Sequence, residues 1–132
     1  MKKPKYNVLV RTLPQDSPHD FEMSAALLIA EYFKTDIVFL RPHSLSSPDL
    51  EIKGGIWELK SPIGNSKNTI YNNIKTARKQ STNIIIDLRR CKLNERKALA
   101  NIRHAYKKRK RRKGTYLIIK RNGKIFDISE IM

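Results

Sequence analysis

The run Asn-Ile-Ile-Ile-Asp-Leu at residues 83–88 constrains this chain more than any other segment. A continuous β-branched apolar run of that length reads as a strand buried on both faces. Such a strand needs cover on each side, so it demands a sheet with helices packed against it. Helical patterns flank it. Ile70, Ile74 and Ala77 recur at helical spacing before it, and residues 94–110 form a strongly basic helical stretch after it.

The remaining segments extend this pattern. Residues 6–10 give a short strand. Ser17-Pro18-His19-Asp20 reads as a helix start, with Ser17 as N-cap, Pro18 in the first turn and Asp20 completing a capping-box-like pair. Phe21, Ala25, Leu28, Ile29 and Tyr32 carry that helix to about Lys34, and residues 36–40 follow as a strand. Residues 41–47 are a loop, and 50–52 and 56–59 flank the hairpin signal Lys53-Gly54-Gly55. Asn68 or Thr69 caps a helix running to about Gln80. A last hairpin, 115–120 with 124–128, turns at Arg121-Asn122-Gly123. The expected product is one domain of 132 residues, with its core at about 17–128. It is an α/β (α+β) fold with a mixed central sheet flanked by helices.

Lys and Arg total 28 against 12 Asp and Glu, a net charge of +16. A protein this basic attracts polyanions at long range, nucleic acid above all, although an anionic membrane surface or an acidic protein also fits. One cysteine, Cys91, excludes an internal disulfide and a cysteine-rich zinc site, and points to a reducing compartment. No apolar run is long enough to span a membrane, and the N-terminal apolar stretch is too short for a signal peptide. His19, His43 and His104 have no metal-ligand spacing.

The Gly54-Gly55 hairpin carries the chemistry. A turn on those two glycines pairs Glu51 with Glu58, Leu50 with Leu59 and Asp49 with Lys60. Side chains alternate along a strand, so Leu50, Ile52, Trp57 and Leu59 share one face and Asp49, Glu51, Glu58 and Lys60 the other. Facing acids are unfavourable without compensation, and a divalent cation supplies it. A merely solvated hairpin face is the bland alternative.

Pro48-Asp49, eight residues, then Glu58-Leu59-Lys60 spell P-D-x(8)-E-x-K. This resembles the PD-(D/E)xK nuclease motif, and the element order matches that superfamily's restriction-endonuclease-like core. A narrower resemblance spans about residues 20–128. Ser47-Pro48-Asp49-Leu50, Trp57-Glu58-Leu59-Lys60-Ser61-Pro62, Thr69-Ile70 and the block from Gln80-Ser81 through Asn83 to Leu88 look like the C-terminal tRNase toxin domain of CdiA, of contact-dependent growth inhibition. The resemblance implies a metal-dependent endoribonuclease acting on tRNA in the cytoplasm, that of a target cell if it is a delivered toxin. It implies Glu22, Asp49, Glu58 and Lys60 as catalytic positions, and Asp49, Glu58 and Glu22 as ligands of Mg²⁺ (or Mn²⁺, or Zn²⁺). It also places Thr69, Asn73 and Gln80 near the site. A toxin further implies an acidic immunity protein to match the charge; the sequence leaves the oligomeric state open.

Lys107-Lys108-Arg109-Lys110-Arg111-Arg112-Lys113 is an unbroken basic run, extended upstream by Arg103. It reads as a phosphate-backbone clamp. Tyr71 and Tyr106 read as packing residues that could also stack on bases. The competing expectations are a DNA endonuclease or junction resolvase on the same core, and a non-catalytic basic nucleic-acid-binding module. The module would have no use for clustered Asp49, Glu58 and Lys60.

Overall fold

The computed structural model describes residues 5–12, 14–40, 49–78, 81–108 and 114–132, with backbone alone for Asp16, Asp49 and Lys67. The expected loop at 41–47, with His43 and Pro48, lies outside the described residues, as do Gln80 and Arg109, Lys110, Arg111, Arg112 and Lys113. Among the described residues, seven strands in mixed parallel and antiparallel pairing and three α-helices make an α/β fold. The chain forms two compact units, Met1–Leu59 and Lys60–Met132.

The first unit holds β1 (Val8–Val10), α1 (Asp20–Phe33), β2 (Ile37–Phe39), β3 (Asp49–Ile52) and β4 (Gly55–Lys60), whose last residue opens the second unit. β1 runs parallel to β2, and β2–β3 and β3–β4 are antiparallel. α1 packs on β1 and β2. Its inner stripe of Ala25, Ala26, Ile29 and Ala30 is buried, as are Ile37, Phe39, Leu50 and Ile52 on the strands. Three alanines on that stripe bring the helix axis close to the sheet, and each fully buried Ile or Phe contributes roughly 1.5–3 kcal/mol. Among the described residues β1 pairs with β2 alone, and Leu9 and Val10 are 45% and 44% exposed.

The start of α1 differs from the expectation. His19, not Ser17, is the N-cap, in extended backbone. Ser17 instead makes a turn of its own, its Oγ donating to the Pro14 carbonyl at 2.9 Å. The capping acid is therefore Glu22, three residues past His19, rather than Asp20.

The second unit holds α2 (Lys67–Arg78), β5 (Ile84–Asp87), α3 (Glu95–Lys107), β6 (Tyr116–Ile119) and β7 (Ile125–Asp127). β5 and β6 are parallel, and β6 and β7 antiparallel. Ile84, Ile85 and Ile86 are all fully buried, as a strand covered on both faces requires. Ile70, Ile74 and Ala77 of α2 join Ala98, Ile102 and Ala105 of α3 in one core with Ile84, Ile86, Tyr116 and Ile118. Ser66, two residues before the earlier of the expected caps, starts α2: its Oγ accepts from the Asn68 N–H at 3.2 Å. Asn94 caps α3 through Oδ1, which accepts from Arg96 N–H and Lys97 N–H. Beyond β5, Arg121 fastens the connection to α3, Nη2 donating to the Cys91 and Leu93 carbonyls at 2.6 Å each.

Asp87 ends β5 fully buried, and Arg89 folds back on it. Arg89 Nε and Nη2 donate to its two carboxylate oxygens at 3.0 and 2.9 Å, and the Arg89 backbone N–H adds a third bond at 3.0 Å. The hydrogen bond to Asp87 holds the Arg89 guanidinium above its ordinary pKa, against the opposing effect of burial. Asp87→Asn keeps the shape but removes the charge. Urea titration should show about 2 kcal/mol of lost stability; an unchanged midpoint would assign this pair no structural weight.

Candidate active site

The hairpin turn lies one residue earlier than the sequence suggested. Lys53 (φ 50°) and Gly54 (φ 83°) occupy the two left-handed positions of a two-residue turn, the geometry that best matches strand twist. Gly55 belongs to β4. A Cβ there would lie 3.4 Å from the Ile52 carbonyl oxygen and 3.7 Å from Trp57 Nε1. Both are ordinary contact distances, so a side chain there meets no clash.

This moves the pairing by two residues. Asp49 faces Glu58, Leu50 faces Trp57, Glu51 faces Ile56 and Ile52 faces Gly55. The expected pairs of Glu51 with Glu58 and Asp49 with Lys60 do not form. A shift of two preserves parity, so the division between faces survives. Leu50, Ile52, Trp57 and Leu59 are buried on one face, and the positions of Asp49, Glu51, Glu58 and Lys60 share the other. The slip improves the constellation, because the two acids of the motif now lie directly across from each other. Directly opposed residues of an antiparallel pair have Cα atoms roughly 4.5–5.5 Å apart.

Glu58 is fully buried, although it lies on the acid-bearing face, and Lys60 is half-buried two residues on. Burying a carboxylate costs free energy unless a positive charge or hydrogen bonds compensate. Beyond Lys60, the Ser61 Oγ is buried with no hydrogen-bond partner among the described residues. Ser61 stands inside the block of residues 57–62, but a hydroxyl's burial is not visible before the fold is known.

Glu22 is 5% exposed, on the same stripe as Ala25, Ala26 and Ile29. Its Oε1 accepts the His19 N–H at 2.9 Å, one half of a capping box. At the other end of α1, Phe33 packs on the Trp57 ring at 5.6 Å, on the face of β4 opposite to Glu58. Glu22 therefore has a structural task of its own.

The other expected residues belong to the second unit. Thr69 is half-buried and crowds the loop before α2: a Cβ on Gly64 would meet Thr69 Oγ1 at 2.6 Å. Asn73 Nδ2 donates to the Thr69 carbonyl at 2.7 Å, one turn back on the same helix. Arg103, Lys107 and Lys108 are exposed on α3. Tyr106 packs edge-on against Tyr116 at 5.1 Å and Tyr71 lies against His104 at 6.2 Å, so both rings take the packing role. Cys91 is buried, with Sγ 3.6 Å from the Gly64 carbonyl oxygen.

The facing positions of the hairpin carry two acids, Asp49 and Glu58, and so offer oxygen donors. That set suits a hard cation such as Mg²⁺ or Mn²⁺ better than Zn²⁺, which favours nitrogen and sulfur. Among the described residues, which do not include the Asp49 side chain, no three His, Cys, Asp or Glu residues gather into a metal site. Among them, too, no helix is long and apolar enough to cross a membrane.

An α/β domain with paired acids on a hairpin and a cationic helix defines a class, and comparison with known proteins narrows it. Residues 46–125, more than half of the chain, match the family model for the contact-dependent growth inhibition CdiA C-terminal domain. The chain belongs to that family of toxin domains. The fold is similar to that of a chain in the CdiA-CT/CdiI toxin and immunity complex from Burkholderia pseudomallei. The TM-score is 0.63 at 20% identity, covering 92% of this chain and 98% of that one. No curated protein sequence gives a significant match.

Proposed function

We propose that this CdiA C-terminal domain is a metal-dependent endoribonuclease of the PD-(D/E)xK type, with tRNA as its favoured substrate. The observation that carries the reading is the register of β3 and β4, which sets Asp49 opposite Glu58 with Lys60 next along the same face. Asp49 and Glu58 would hold one or two divalent cations, Mg²⁺ or Mn²⁺. Glu22 ranks behind them, through the oxygen not engaged with His19. When bound, such a cation polarises a phosphoryl oxygen and lowers the pKa of water. Lys60 orients the attacking water and offsets the charge that develops on the phosphorus centre in flight. Exposed cations of the second unit, Arg103, Lys107 and Lys108 among them, hold the RNA backbone. The basic run through Lys113 and the positions of Thr69, Asn73 and Gln80 fit the same substrate.

Incubation of the purified chain with total RNA and plasmid DNA tests the reading. With Mg²⁺ present, tRNA-sized RNA should be cut at discrete positions and plasmid left intact. EDTA should stop the reaction, and excess Mg²⁺ or Mn²⁺ should restore it. Cleavage undiminished in EDTA would remove the cation from the mechanism, and intact RNA throughout would leave only a cationic binding module. We further propose an acidic immunity protein as the partner: the similar solved chain comes from a toxin and immunity complex, and a net charge of +16 favours an acidic complement.

A further inference from the structure

The inner face of α3 is apolar and buried, through Ala98, Ile102 and Ala105. Its outer face is cationic along the whole helix. Arg96, Arg103 and Lys107 are exposed at spacings of seven and four, and so form one row about 16 Å long. Lys97, His104 and Lys108 repeat the same spacings one residue on, as a second row about 100° around the helix. Neither row contains an acid.

The rows begin where cations are least welcome. Arg96 and Lys97 stand in the first turn, at the positive end of the helix dipole. The one acid of that turn, Glu95, is drawn to Lys120 Nζ at 3.9 Å. The folded chain thus keeps two cations at an electropositive helix end, an arrangement that an external polyanion relieves. The flanking aromatic rings are committed: Tyr106 packs on Tyr116, Tyr71 lies against His104, and both pack on the core. Binding of single strands relies on aromatic platforms for unstacked bases, whereas a duplex is held through phosphates and shape.

We propose that the outer face of α3 is a rail for the backbone of base-paired RNA, running from Arg96 to Lys107, so that the chain grips a stem rather than an unpaired strand. The inference rests on the RNA-cleaving reading for the identity of the polyanion, and it adds Arg96 and Lys97 to the interface. The test is fluorescence anisotropy of the full chain with a 5′-labelled A-form RNA duplex of about 12 base pairs, longer than the ~16 Å row, and with a uridine-rich strand of the same length. It runs in EDTA over a series of salt concentrations.

The duplex should bind about tenfold tighter or better, which corresponds to about 1.4 kcal/mol. Substituting Arg96→Ser, Arg103→Ser and Lys107→Ser together should flatten the dependence of log affinity on log salt by about 2 to 3 units. A control triple at exposed Lys5, Lys75 and Lys124 removes the same charge elsewhere and should change the slope by less than about one unit. Circular dichroism melting verifies that both triples fold. Equal affinity for duplex and strand overturns the proposal, as does a slope unaltered in the rail variant. Equal flattening by both triples assigns binding to net charge and overturns it too. If the rail binds duplex while RNA with Mg²⁺ stays whole, the nuclease reading falls and the rail stands. If cleavage proceeds but the rail triple binds duplex like the parent chain, the reverse holds.

Discussion

Glu58→Gln is expected to lower RNA cleavage by about a hundredfold or more, the scale on which loss of one preorganised electrostatic group acts on a transition state. The side chain is fully buried, so glutamine fills the same space and retains hydrogen bonding while the negative charge goes. If Glu58 is a cation ligand, the loss should appear in the rate, and raised Mg²⁺ should recover part of it. If its charge serves only packing, the variant should melt earlier and cut normally per folded molecule. Lys60→Ala separates the partner's role, because it should slow cleavage without altering the Mg²⁺ dependence. Full activity of Glu58→Gln would end the hairpin's candidacy.

Gly114→Ala should cost about 3 kcal/mol of stability, combining a left-handed backbone with overpacking. Gly114 has φ +93°, and a Cβ there would overlap the Thr82 carbonyl oxygen. A backbone atom cannot rotate away as a side chain can. The contact sits where β5 and β6 begin, beside the Thr115 N–H to Asn83 Oδ1 bond of 3.1 Å and the Ile84 N–H to Thr115 carbonyl bond of 2.9 Å. Relief therefore requires moving the start of a parallel strand pair. Gly54→Ala is the comparison, since Gly54 has φ +83° with nothing within 4 Å of the added carbon. It should cost only the conformational part, about 1–2 kcal/mol. Equal losses in denaturant titrations of the two variants would show that the Thr82 contact yields easily.

The strands and helices were legible where one signal dominated. Ile84–Ile86 could only be an interior strand, and Ile70, Ile74 and Ala77 could only face inward, because nothing polar interrupts either pattern. The turn was not legible, because Lys53-Gly54-Gly55 offers two placements and glycine is the more permissive residue at a left-handed position. In the fold Lys53, at φ 50°, and Gly54, at φ 83°, take the turn, and Gly55 joins the strand. Division of the acids between faces was readable despite the slip, since it depends on parity alone. The start of α1 misled for a related reason. Ser17 is a good cap in isolation, but its hydroxyl serves the turn at Pro14, and His19 begins the helix. The Arg121 clamp joins residues whose proximity exists only in the folded chain.

Among the described residues β1 is an end strand, with two exposed apolar side chains, an inviting template for another molecule's strand. Mutual repulsion between molecules carrying +16 each opposes that docking over about 10 Å at 0.1 M salt. Solubility and hunger for a polyanion are then one property seen from two sides. Salt that screens this charge also lets neighbouring molecules draw together.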